Sequence, residues 1–157
     1  MTTVPHVPHH PSSPAIDLIE CRMHIVRPTE PVLGRVVRSE LCTARKAAGF
    51  VRHVDIDLSG TPLVGTFVPG QSFGVIPPGV DGHAKPHKVR LYSVASPTRG
   101  EPGGATGVPG SVISTTVKRT VDEHWETHKL FLGVASNFLC DAQVLSLIHI
   151  SEPTRRS

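Results

Sequence analysis

The stretch GFVRHVDIDLSG, residues 49–60, decides the fold. Val54, Ile56 and Leu58 occupy every second position, and Asp55 and Asp57 fall between them. A period of two is the pattern of a strand with one face on a core and the other in water. Ser59 and Gly60 end the run, and TPLVG after them reads as a turn. Two acids at this spacing could be paired catalytic carboxylates. The solvent face of a strand is the preferred reading, because nothing nearby supplies the rest of a site.

Short β-like runs continue on both sides. Residues 31–44, PVLGRVVRSELCTA, place Val32, Val36 and Val37 among polar residues. FVPGQSFGVIPPG (67–79) holds a short apolar run between turn signals, KVRLYSVAS (88–96) follows a polar loop, and SVISTTVKRT (111–120) is β-branched. Between the last two, PTRGEPGGATGVPG (97–110) is a long Gly/Pro loop with little reason to be ordered. VDEHWETHK (121–129) is a charged connection with room for one or two helical turns, and LFLGVASNFLCDAQ (130–143) begins as a strand and turns into a helix near Gly133, Ser136 and Asn137. With 14 glycines and 15 prolines punctuating 157 residues, about six short strands and one short helix are predicted. The physical solution is an all-β chain, a small antiparallel β-barrel in which closure removes exposed edges.

Bulk properties exclude several classes. A net charge of +3 is no argument for nucleic-acid binding. No apolar run is long enough for a membrane span, and the N-terminus lacks a signal-peptide pattern. Cys21, Cys42 and Cys140 are too few and too scattered for a disulfide framework or a metal site, which makes a cytoplasmic setting the default. Residues 1–30 are expected to form a flexible arm. Its His6, His9 and His10 read as a solvated tail rather than ligands, since such a segment cannot preorganise a metal. LSLIHISEPTRRS, residues 145–157, breaks the style of what precedes it and is similar to strings found where vector or adapter sequence is translated. It is taken as a non-native tail after a domain over 31–144. The competing reading is a real terminal strand, and without a partner strand such a run is an aggregation hazard.

Three polar stretches carry chemistry. In RLYS (90–93), Arg90 and Tyr92 are two apart and share a strand face. A guanidinium forks onto phosphate oxygens, a tyrosine ring stacks on a flat heterocycle, and Ser93 adds a small donor and acceptor. The ligand this suits has a phosphate and an aromatic ring system, such as a flavin nucleotide. On these residues alone, a surface Arg beside a half-buried Tyr is the plainer reading. In STTVKR (114–119), Lys118 and Arg119 end a strand where they could meet phosphates. In GVASNFLC (133–140), small residues follow a glycine at a helix start, where N–H groups and the helix dipole favour an anion.

Taken in order, RLYS, TVKR and GVASNFLC resemble the motifs of the plant-type ferredoxin–NADP(+) reductase family, and the likeness extends over residues 32–143. The resemblance implies a Greek-key FAD-binding β-barrel domain with one short helix. It implies that Arg90 binds the FAD pyrophosphate, that Leu91 and Tyr92 contact the flavin with Tyr92 stacked on the isoalloxazine, and that Ser93 lies at the reactive N5 as the catalytic residue. Thr116, Val117 and Lys118 would line the FAD, Val134, Ala135 and Ser136 would supply the pyrophosphate loop, and Ser93 and Lys118 would also meet NADP(H). Lys85 and Lys88 fit a basic face for an acidic electron partner, ferredoxin or flavodoxin.

The family often has cysteine where Thr116 and Ala135 stand. Its adenine-packing tyrosine has no clear counterpart; Asp122 falls near that place and Trp125 could substitute. No doubly wound NADP-binding domain follows Cys140, so the chain is expected to be an FAD domain unable to reduce ferredoxin with NADPH by itself. The alternatives are the flavin reductase component of an oxygenase electron-transfer system and a non-catalytic flavin-binding module.

Overall fold

The computed structural model describes residues 25–44, 46–97 and 99–154, with side chains described as far as Ser151. His6, His9, His10 and Cys21 lie outside the described residues. Ile25 and Val26, within the stretch assigned to the arm, pack against the core, and Val26 is buried.

Among the described residues, eight strands and one helix follow in the order β1 (Val32–Leu41), β2 (Val51–Asp57), β3 (Ser72–Ile76), β4 (Arg90–Ser93), β5 (Val112–Lys118), β6 (Val121–Glu123), β7 (Leu130–Leu132), α1 (Val134–Asp141) and β8 (Leu147–Thr154). Six of the strands form one antiparallel sheet, β4-β3-β8-β1-β2-β5. The sheet curls until its edges meet without a continuous ladder. The Ala95 N–H donates to Ser114 O at 2.8 Å, and the Thr115 hydroxyl donates to Ser93 O at 3.0 Å. The barrel is therefore nearly closed, with a seam between β4 and β5.

The alternation in residues 49–60 holds on its apolar side: Val54, Ile56 and Leu58 are fully buried. They meet Phe73 and Val75 of β3, Ile113 of β5, and Ile148 and Ile150 of β8. Burying each such side chain is worth about 1.5–3 kcal/mol against leaving it in water. The other face departs from the expectation of a solvated strand: Asp55 and Asp57 are 3% and 5% exposed. Asp57 lies under the loop that follows β4, which is tied down rather than free. Its Oδ2 accepts from Ala105 N–H at 3.0 Å, and the loop is closed by Gly110 N–H to Arg99 O at 2.7 Å and Glu101 N–H to Val112 O at 2.9 Å.

Two further segments fold as strands. Residues 121–129 hold one helical turn, closed by the His128 N–H donating to His124 O at 2.8 Å, and it links β6 to β7 in a hairpin with Val121 opposite Leu132 and Glu123 opposite Leu130. The C-terminal run set apart at residue 145 folds as β8, paired with β1 on one side and β3 on the other. Helix α1 closes one end of the barrel. Leu139 and Cys140 point into the core, and the Cys140 thiol reaches Val117 O at 3.7 Å. Burial pushes that thiol's pKa up, which is a packing role rather than a reactive one. None of the described helices is long and apolar enough to cross a membrane.

Candidate functional site

The seam between β4 and β5 opens into a groove of about 430 Å³ that runs to the start of α1. Arg90, Leu91 and Tyr92 of β4 form one wall, and Thr116, Val117 and Lys118 of β5 the other. Val134, Ala135 and Ser136 close it at the helix, and Lys88 stands at the β4 end. Three stretches spread over residues 90–136 thus meet on one groove, through the near-closure of the sheet. Not every residue expected at the flavin site lines the groove. Ser93 ends β4 opposite Ser72 and gives its carbonyl to Thr115. Lys85 sits in an exposed loop whose carboxylate anchor, Asp81, accepts from the Lys85 N–H at 3.0 Å and the His83 N–H at 2.8 Å.

The electrostatics of the groove favour an anion. Its lining includes Lys88, Arg90 and Lys118 and no carboxylate. Arg90 makes one long contact, 3.4 Å to Val89 O, and no ion pair among the described residues. Tyr92 is half-buried, with its ring centroid 6.4 Å from that of Phe73. Burial, with a smaller push from Cys140, moves its hydroxyl to about 12, while Arg90 pulls the other way, so the phenol stays a neutral donor and acceptor.

At the helix start, Gly133 is the N-cap and no side chain caps the first turn. The Ser136 hydroxyl donates to Gly133 O and accepts from Thr120 N–H, both at 3.1 Å. The Asn137 amide donates to Gly133 O at 2.9 Å and Thr120 O at 3.0 Å. These bonds fix the strand-to-helix turn and spend the Ser136 hydroxyl. What remains for a ligand there is the backbone N–H groups that open a helix.

Arg119, a candidate phosphate ligand on sequence grounds, is turned away. It bonds Asn137 Oδ1 at 3.0 Å, pairs with Asp141, and lies 4.7 Å from the centroid of the Phe50 ring. Trp125 sits 79% exposed in the β6–β7 hairpin and does not line the groove. Phe131 of β7 does, together with Pro77, His87 and Thr120. The only sign of Phe131 in the sequence was the apolar triplet LFL just before the helix start.

Sheet, capping helix and cationic groove define a β-domain of the ferredoxin reductase type. No protein-family model matches the chain. It is 35% identical over 131 residues to the ferredoxin–NADP reductase of Spirulina sp., covering 83% of this chain and 42% of that protein. It is 38% identical over 127 residues to leaf isozyme 1 of the chloroplastic enzyme of Oryza sativa subsp. indica, covering 81% and 33%. The fold matches a solved ferredoxin–NADP+ reductase from Plasmodium falciparum with a TM-score of 0.61 at 17% identity, over 87% of this chain and 43% of that one. The chain is similar to ferredoxin–NADP reductases over most of its own length and spans well under half the length of these relatives.

Proposed function

We propose that this chain is the FAD-binding part of a ferredoxin–NADP(+) reductase, an oxidoreductase passing electrons between NADP(H) and ferredoxin or flavodoxin. The observation that carries the reading is the groove: three cations, a half-buried tyrosine ring and a helix start converge there with no opposing carboxylate. That donor set fits a ligand with a pyrophosphate at one part and a flat ring at another. Arg90 and Lys118 would hold phosphate oxygens, aided by the N–H groups of Val134, Ala135 and Ser136. Tyr92 would stack on the flavin ring, and Phe131 offers a second aromatic surface on the side where Trp125 is absent. Bound FAD would supply hydride and single-electron chemistry, while the protein orients it and excludes water. Ser93, beyond the groove's lining, would act at the mouth where the nicotinamide of NADP(H) approaches. Lys85 and Lys88 are both exposed and form the basic face offered to an acidic electron partner. A cytoplasmic setting is part of the same reading.

Titration of the purified chain with FAD, followed by flavin fluorescence and absorbance, tests it. Saturable binding is expected, and Arg90→Ala should weaken it by about 10- to 100-fold, the value of a charge-assisted hydrogen bond of about 1.5–3 kcal/mol. Absence of binding, or equal binding by the Arg90→Ala variant, would overturn the proposal.

A further inference from the structure

Behind Thr116, on the outer face of the sheet, stands a row of polar groups that no flavin contact requires. His53 of β2 is directly opposite Thr116 of β5, with Nδ1 at 3.1 Å from the Thr116 hydroxyl. The other ring nitrogen, Nε2, is 3.1 Å from Asp55 Oδ1. That contact has ion-pair distance but not hydrogen-bond alignment, and Oδ1, buried, has no hydrogen bond among the described residues. Asp55 Oδ2 lies 3.5 Å from Arg38 Nη1. The row Arg38, Asp55, His53, Thr116 therefore crosses three strands and ends at the groove.

The other charged and titratable groups around His53 come from each neighbouring element. Glu40 of β1 is its register partner and pairs with Arg38 at 2.6 Å. On β5, Ser114 faces Asp55 and donates to Glu101 of the long loop at 3.4 Å, and Lys118 follows Thr116 by two residues. Burial drives the Asp55 pKa up, while His53 and Arg38 pull it down.

A neutral imidazole carries one N–H, and its position is set by what each nitrogen faces. A lone pair on Nε2 would be held 3.1 Å from a carboxylate oxygen with no other donor, whereas an N–H there is attracted to it even off line. The proton therefore sits on Nε2 and Nδ1 is an acceptor. Thr116 must then donate its O–H to Nδ1, leaving only lone pairs toward the groove. Protonating His53 puts an N–H on Nδ1 as well. Thr116 then accepts from it, and its own O–H turns to the groove.

We propose that His53 sets the hydrogen-bond polarity of Thr116 in the groove, acceptor-only while the imidazole is neutral and a donor once it is protonated. His53 is a positioning residue acting through Thr116. The class of ligand sensed, a flavin nucleotide with both N–H and C=O edges, rests on the reading given under Proposed function; the state of His53 does not.

Two measurements separate these points. Imidazole ¹⁵N NMR of the free protein at the alkaline end of a pH series should show the Nε2–H tautomer. The Nδ1 resonance should shift in Thr116→Val and return toward wild type in Thr116→Ser. An Nδ1–H tautomer in the wild type, or an Nδ1 resonance indifferent to Thr116→Val, overturns the proposal. FAD dissociation constants measured by fluorescence from about pH 5.5 to about pH 8.5 form the second arm. Wild type and Thr116→Ser should vary about 3- to 10-fold more than Thr116→Val, the worth of one neutral hydrogen bond, because His87 in the groove lining contributes equally to all three. A pH dependence undiminished in Thr116→Val, or none in the wild type, also overturns it. If no variant binds FAD at any pH, the flavin reading fails, and the NMR result alone decides the role of His53.

Discussion

Replacing Asp57 by asparagine tests how the sheet carries its long Gly/Pro loop. The Asp57 carboxylate, 5% exposed, accepts three hydrogen bonds: at Oδ1 from the Ser59 N–H at 2.9 Å and the Ser59 hydroxyl at 2.6 Å, and at Oδ2 from the Ala105 N–H at 3.0 Å. Burial raises its pKa, but the Ser59 hydroxyl, the Ala105 and Ser59 amides and the charge of Arg35 outweigh burial and hold it below the ordinary carboxylate value. Asparagine keeps the shape and has one acceptor oxygen. Its NH₂ must face either the Ser59 donors or the Ala105 N–H, so at least one donor loses its partner. A hydrogen bond to a charged acceptor contributes about 1.5–3 kcal/mol and an unpaired buried donor costs about 1–3 kcal/mol. These overlap, and a loss of about 2–3 kcal/mol at about pH 7 is expected. The folded pKa is depressed, so this stabilisation is complete above the unfolded value of about 3.9 and is lost as pH falls through the folded one. The wild type and Asp57→Asn should therefore converge on acidification. Urea unfolding followed by far-UV circular dichroism measures both; Trp125, 79% exposed, would be a poor reporter. A loss under about 0.5 kcal/mol near neutrality, or stability curves that stay parallel into acid, would refute the reasoning.

Three other outcomes are expected. Leu145 has φ 78° and is 71% exposed, so Leu145→Gly should raise stability by about 0.5–1 kcal/mol, the left-handed penalty less glycine's extra chain entropy; a lowered melting temperature would contradict this. A Cβ on Gly34 would stand 2.5 Å from Ile56 Cγ2, so Gly34→Ala should cost about 1–3 kcal/mol by thermal melting, partly recovered by adding Ile56→Val. On the proposed electron-transfer reading, Lys88→Glu should slow association with an acidic ferredoxin by about tenfold at low ionic strength, and stopped-flow rates for wild type and variant should approach each other as salt is added.

The strand period was legible because it reports one physical fact, which side of β2 meets apolar neighbours. It could not report what lies over the other side. Asp55 is covered by Arg38 and His53 from adjacent positions of the sheet, and Asp57 by a loop that begins forty residues later. An acid in a strand looks the same in sequence whether it meets water or a buried N–H. The groove was legible for a different reason: Arg90, Lys118 and Val134 belong to short motifs whose order carries the resemblance. Ser136 shows the limit of that route. The motif places it at the groove, but only the bonds to Gly133 and Thr120 show that its hydroxyl is already spent on the turn. The segment 121–132 was legible only in part: its charged residues suit the one helical turn that His128 N–H to His124 O closes, but they hide the strands on either side. What decides for strands is Val121 finding Leu132 across a short connection.

β8 shows how little a central strand needs to specify. The place between β1 and β3 asks for inward apolar side chains at alternate positions, and Ile148 and Ile150 meet that need with Leu147 and His149 outward. It also asks for room, which comes from the partners: Gly34 lets Ile150 and Ile56 close in, and Gly74 leaves space for the Ser151 hydroxyl. The β8 run therefore fits a slot whose tolerance is built into its neighbours. The turn into β8 is where the fit is poor. Leu145 enters with a left-handed backbone, held by its N–H to Val36 O at 2.8 Å, at a turn that glycine would make without strain. The strain falls at the turn into β8, and Leu145→Gly measures it without touching the core.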